Sequence, residues 1–355
     1  MKLFFIFLLA IFWQSQAFAS KSFFGYSESA DVFTILDNLS EWHNGAKREY
    51  RVAYQEKFGL KDKDIELFQV YRSFRLRFAN VAKNSQNSEG FSNTDVGTDI
   101  ISKAFYESQT VDEALRKLSK DLKKDDVVFL ADVLKHFKPQ FSEWIKESQA
   151  FKSKVKDLER LFSKEMVQKT IKDSQKFLGH KKFDLQIHLA WWPKNVAPVA
   201  SFYGNHVVLH FNPIDQLASL NTAILVEASV AALMRNLEQE TKNNFSKSYF
   251  NKCQLKKEFP NFPSDLYLER PLVLAMSHYY QGSLKEKRTF DVFVKWDGNE
   301  LVNLMSKDFF MYYLHALRTK MSFGPDFAQS LGGICQSYVQ AYQAMEKARA
   351  REASR

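Results

Sequence analysis

In the first half of the chain, apolar residues recur every three or four positions, which is the spacing of helices with one buried face. Asp31 to Trp42 places Val32, Ile35, Leu36 and Leu39 on one such face, and Asn44 with Gly45 reads as its stop. Tyr50 to Phe58 continues the pattern, as does Asp64 to Val81 with Ile65, Phe68, Tyr71, Phe74 and Phe78. Arg72, Arg75 and Arg77 fall among these apolar residues and read as a solvated face whose stems lie over the core. Lys83 to Thr98 turns to Asn, Ser and Gly, the composition of a loop. Helices are predicted again at Ser102 to Glu107 and Val111 to Leu118, then at Val127 to Phe137 and Phe141 to Lys146. Pro139 is expected to separate the last two, because proline loses a helix hydrogen bond and clashes. Phe151, Val155, Leu158, Phe162, Met166 and Ile171 then mark one long amphipathic helix packed on the rest.

Near Gly179 the period changes. Phe183, Leu185, Ile187 and Leu189 alternate with Asp184, Gln186 and His188, as in a strand with one buried face. Val199 to Tyr203 and His206 to Phe211 predict two more strands around a Gly204-Asn205 hairpin turn, the reverse of the favoured order. Asn221 to Arg235 is apolar around most of its circumference and reads as a buried central helix, with one carboxylate, Glu227, in its middle. A buried carboxylate needs a partner or a proton. After a polar loop, the next helix starts either near Ser264, with a kink at Pro271, or near Leu268, with Pro271 in its first turn. A short strand at Phe290 to Trp296 and a helix at Leu301 to Lys320 follow, then a last helical region from about Phe327, weakened by Gly332 and Gly333. The expected fold class is α+β and mainly helical. A helical domain would span 20–178, and a small mixed sheet on a buried helix, with C-terminal helices, would span 179–355.

The first 19 residues combine Lys2, an apolar run from Leu3 to Trp13, and small residues at Ala17 and Ala19, the pattern of a cleaved leader. Export to a periplasm or out of the cell is the expectation. No later stretch approaches the roughly 20 apolar residues that a membrane span needs. An oxidising compartment would permit a bridge between Cys253 and Cys335, with two separate buried thiols as the alternative. The net charge of +9 is spread along helices without interleaved stacking aromatics, so it speaks for solubility rather than nucleic-acid binding.

The order of strand, buried helix with a central Glu, polar loop and second helix with a Glu resembles the core of gluzincin metallopeptidases, the zinc proteases related in fold to thermolysin. The residues that carry it are Val226-Glu227-Ala228-Ser229-Val230 and Glu269-Arg270-Pro271-Leu272. The resemblance implies that Glu227 stands at the position of the general base and Glu269 at that of the third metal ligand. Val226 and Val230 stand where that family has its two histidines. Valine has no lone pair to give a metal, so neither zinc nor any other cofactor is expected, and hydrolysis by the family's mechanism should be lost. The resemblance also implies an edge strand beside the cleft. Val207, Val208, Leu209 and His210 are the residues expected to line it and to hold a peptide or protein partner by strand addition.

Other chemistry is thinly signalled. His206 and His210 would lie about 13 Å apart along one strand, too far to share an ion. His188 has no carboxylate or cysteine at ligand spacing, His278 lies nine residues after Glu269 and about half a turn away from facing the same way on an ideal helix, and Ser229 reads as a small packing residue. No glycine-rich phosphate loop, Cys-x-x-Cys or nucleophile-elbow pattern occurs. Beside the inactive, partner-binding reading stand two others: an active hydrolase using Glu227 with His188 or His278, and a purely structural exported protein.

Overall fold

One small sheet closes a different hydrophobic core with each of its faces. The computed structural model describes residues 23–43, 45–79, 88–91, 97–216, 220, 222–258, 263–282, 297 and 299–353. The leader expected over the first 19 residues, most of the loop expected at 83–98 and the strand expected at 290–296 lie outside the described residues.

The sheet has the order β1-β2-β4-β3, with β1 at Phe23–Gly25, β2 at Gln186–Ala190, β3 at Val199–Tyr203 and β4 at His206–His210. β1, β2 and β4 run parallel, and β3 is antiparallel to β4 through a turn in which Gly204 takes φ +58°. Side chains alternate across the pleat, so each strand feeds two environments. Ile187, Leu189, Val207 and Leu209 enter one core, whereas Ala190, Val208 and Tyr203 enter the other.

The second of these cores is built by α1 (Glu28–Leu39), α2 (Arg48–Phe58), α3 (Asp62–Phe78), α4 (Ile100–Tyr106), α5 (Val111–Leu118) and α6 (Lys124–Ser148). α1 is its centre: every residue from Ser29 to Leu39 is buried, and Ser27 caps it by accepting from the Ala30 N–H. α6 is continuous through Pro139, where two helices were expected. Pro139 lies on the exposed side of the helix. Leu130, Val133, Leu134, Phe137, Phe141 and Trp144 hold both halves of α6 on the same core.

The first core takes α7 (Phe151–Phe162), α8 (Glu165–Phe177), α9 (Thr222–Arg235), α10 (Gln239–Phe250), α11 (Leu255–Glu258), α12 (Glu269–Gly282), α13 (Glu300–Thr319), α14 (Pro325–Gly333) and α15 (Cys335–Ala353). The single long helix expected over 151–171 is two helices, broken at Ser163 and Lys164. A one-turn 3-10 helix at Ser264–Tyr267 precedes α12, which puts Pro271 in the first turn of α12 and avoids a kink. Residue 178 does not divide the cores. β1 joins the sheet from the N-terminal half, and α7 and α8 pack on the far face with the C-terminal helices. Cys253 and Cys335 form a disulfide that ties the end of α10 to the start of α15. No described helix is long and apolar enough to cross a membrane.

Arg75 corrects the expectation of a solvated face. It is fully buried, and its guanidinium donates to Asp37, Asp99 and Ser102 while lying over the rings of Phe33 and Trp42. Arg72 and Arg77 are exposed. Burial alone would lower the pKa of Arg75, but the two carboxylates outweigh it and hold the charge.

Candidate functional site

α9 and α12 pack against each other and bring the two glutamates of interest to one helix pair. Val226 and Val230 are fully buried in the first core. Glu227 is not the buried carboxylate that the apolar helix suggested, since its side chain keeps 32% exposure and is ion-paired with Arg270. Arg270 also reaches Asp297 at 3.0 Å, so one guanidinium serves two carboxylates. Glu269 is buried, and its carboxylate is held by Arg235 at the end of α9. Arg235 lies over the ring of Phe202 on β3, 5.2 Å from its centroid, which links this cluster to the sheet edge.

The donor set does not fit a zinc ion. Of the three positions that the resemblance would assign to metal ligands, two are aliphatic and packed, and the third is a carboxylate already bonded to a guanidinium. Among the described residues, no three His, Cys, Asp or Glu side chains come together as a metal site would require. A guanidinium beside each carboxylate balances the charge that a metal would otherwise balance.

β4 is an interior strand. β2 and β3 take its two sides, and Val207, Val208, Leu209 and His210 are all fully buried, so they neither line a cleft nor offer a free backbone edge. Among the described strands the edge on this side is β3, where Val199, Ala200, Ser201 and Phe202 are half-buried. Gly97 approaches Tyr203 so closely that a Cβ would overlap that side chain, and the segment at Gly97 and Thr98 therefore covers the C-terminal end of β3.

The sheet face toward α1 carries three buried histidines. His188 and His206 meet at 3.0 Å from adjacent strands, with Tyr106 stacked on His206. Burial pushes them down to about 3 and about 4, helped by each other's proximity at His188 and by Lys103 at His206, so both are neutral. His188 thus lies across the sheet from Glu227. His278 donates its Nδ1–H to Leu274 O at 2.9 Å, within the electrostatic reach of Glu227. Ser229 donates to Leu225 O at 2.7 Å and is buried packing.

His210 has different partners. Its Nδ1 lies 2.8 Å from the Tyr50 hydroxyl and its Nε2 lies 3.0 Å from Ser201 Oγ. Tyr50 donates its own proton to Trp191 O at 2.6 Å. Trp191 is fixed in turn by Asp31, which accepts its backbone N–H at 2.8 Å, and by Glu147, which accepts its indole N–H at 2.7 Å. Burial pushes Asp31 up to about 7, opposed by nearby Ser148 and by the Trp191 N–H. The hydroxyls of Ser148 and Tyr26 flank Asp31 without hydrogen-bond geometry to its second oxygen. Sequence reading missed the Ser201–His210 pair, although the signal was there. A two-residue hairpin turn puts Val199, Ser201 and Tyr203 on the same face as His206, Val208 and His210. Comparison with protein families, curated proteins and solved structures finds no match to this chain.

Proposed function

We propose that this chain is an exported, peptidase-like protein that has given up zinc chemistry and holds an extended peptide or partner segment beside the edge strand β3. The observation that carries the reading is the pairing of Glu227 with Arg270 and of Glu269 with Arg235 on the helix pair α9 and α12, next to an antiparallel edge strand. In a gluzincin-like core those carboxylates would act on and ligate zinc. Here they hold guanidinium groups, and valines fill the remaining ligand positions. The edge proposed for docking is Val199 to Phe202, whose residues are half-buried and which is an outer strand among the described ones. Arg235 over Phe202 steadies that edge from behind.

Two measurements test this. Chain purified without chelator and dialysed against trace zinc should bind about no zinc, whereas one tightly held zinc per chain would refute the donor argument. Amide exchange at Val199 to Phe202 should slow when a synthetic library of extended octapeptides is added. Unchanged exchange at those amides, with saturating peptide, would remove β3 as the docking edge.

A further inference from the structure

Ser201, His210 and Tyr50 form a chain of hydrogen bonds whose direction is set by its far end. Trp191 O can only accept, so the Tyr50 proton points to it. The Tyr50 oxygen must then accept from His210, which places the imidazole proton on Nδ1 and leaves the lone pair of Nε2 facing Ser201 Oγ at 3.0 Å. The Ser201 hydroxyl therefore donates to a ring nitrogen that has no other role in the chain. His210 and Tyr50 are fully buried, while Ser201 keeps partial exposure on the edge strand, so the serine is the open end. The Tyr203 phenol is a further polar neighbour of Ser201.

We propose that Ser201 is a nucleophile, activated by His210 and oriented through Tyr50, that accepts the acyl group of an activated ester. Ser201 Oγ forms the bond to the acyl carbon while its proton passes to His210 Nε2. The ester C–O bond then breaks, the phenolate leaves with the electron pair, and the proton on Nε2 passes to water or to the phenolate. Burial makes His210 a weak base, with its pKa pushed down to about 3 and Lys47 adding to the effect. A base this weak activates the serine only slightly, so attack requires a reactive acyl carbon with a leaving group that departs as a stable anion; aryl esters meet that requirement and amides do not. Tyr50 is a positioning residue, since it selects the tautomer without touching the acyl group. The inference does not depend on peptide docking at β3.

The experiment uses the full chain and p-nitrophenyl acetate. Expected are a burst of about one nitrophenolate per chain and one acetyl group on the peptide bearing Ser201, both lost in Ser201→Ala. His210→Gln should slow the burst about a hundredfold. The burst rate should stay flat from about pH 8 to about pH 5, where an unperturbed histidine base would already be protonated. Tyr50→Phe should slow the burst and leave acetylation at Ser201 as the slow product. Should either buried variant fail to fold, the Ser201→Ala result and the pH profile decide alone. Acetylation confined to lysines, or a burst unchanged in Ser201→Ala, overturns the proposal.

Discussion

Arg270 on α12 is ion-paired with Glu227 on α9, and the residue just before it, Glu269, is held by Arg235 of the same α9. The two ion pairs tie one helix to the other in both directions, yet they differ in burial. Glu227 and Arg270 are each about one-third exposed, whereas Glu269 is 5% exposed at its side chain. Solvent screening makes an open pair worth about 1 kcal/mol or less, and removing one partner of a buried pair costs about 3–5 kcal/mol.

Glu227→Gln should therefore change the urea stability by less than about 1 kcal/mol, while Arg235→Met should lower it by about 3 kcal/mol. Equal losses in the two variants would show that the exposed pair is as desolvated as the buried one.

Arg75→Met leaves Asp37 and Asp99 buried without their guanidinium and should cost about 3–5 kcal/mol. Arg75→Lys should recover little of that, because a single ammonium cannot reproduce a planar fork that bonds Asp37, Asp99 and Ser102 at once. Thermal melts of the two variants check this, and full rescue by lysine would count against the fork geometry.

Local periodicity made most helices legible, because one apolar stripe is enough to mark a buried face. It also made the strands legible, since Leu185, Ile187 and Leu189 do share one core. What it hid were relationships between distant segments. β4 looks like an edge until β2 pairs with one side of it and β3 with the other. Arg75 looks solvated because its charge stands among apolar residues, and its partners Asp37 and Asp99 lie on other elements. At the candidate site, the sequence marked Glu227 and Glu269, which lie on two helices that pack together, but their arginine partners could not be read from spacing. α1 was read as amphipathic, although its polar residues Asp31, Asp37 and Asn38 are as buried as its leucines.

The disulfide closes a sequence separation of 82 residues. In the chain-entropy account such a loop is worth about 4–5 kcal/mol through the unfolded state. Cys253→Ser with Cys335→Ser should lower stability by about that amount at unchanged fold, read by circular dichroism and urea unfolding. A loss well under about 1 kcal/mol would mean that the reduced unfolded chain is already compact there.

Acid should unfold this chain through its sheet histidines, and the sign follows from linkage. His188, His206 and His210 are pushed from 6.5 down to about 3, about 4 and about 3 by burial, so the unfolded state binds their protons first as pH falls. Their contribution is fully present above about pH 6.5 and is lost progressively toward about pH 4; His43 and His278, also lowered by burial, act in the same direction. Asp31 opposes them. Burial raises it from 3.8 to about 7, so between those values the folded state holds the extra proton, and this residue stabilises the fold more at pH 5 than at pH 7. Asp37 and Asp308, also raised by burial, act with Asp31, but the five lowered histidines outnumber these three carboxylates, and net stability should fall from about pH 7 to about pH 5. Asp31→Asn keeps an acceptor for the Trp191 N–H and removes the opposing proton, so its stability should drop more steeply over the same interval. Urea midpoints at the two pH values for both proteins decide it: an equal or shallower drop in Asp31→Asn would show that Asp31 is ionised in the fold already at pH 5.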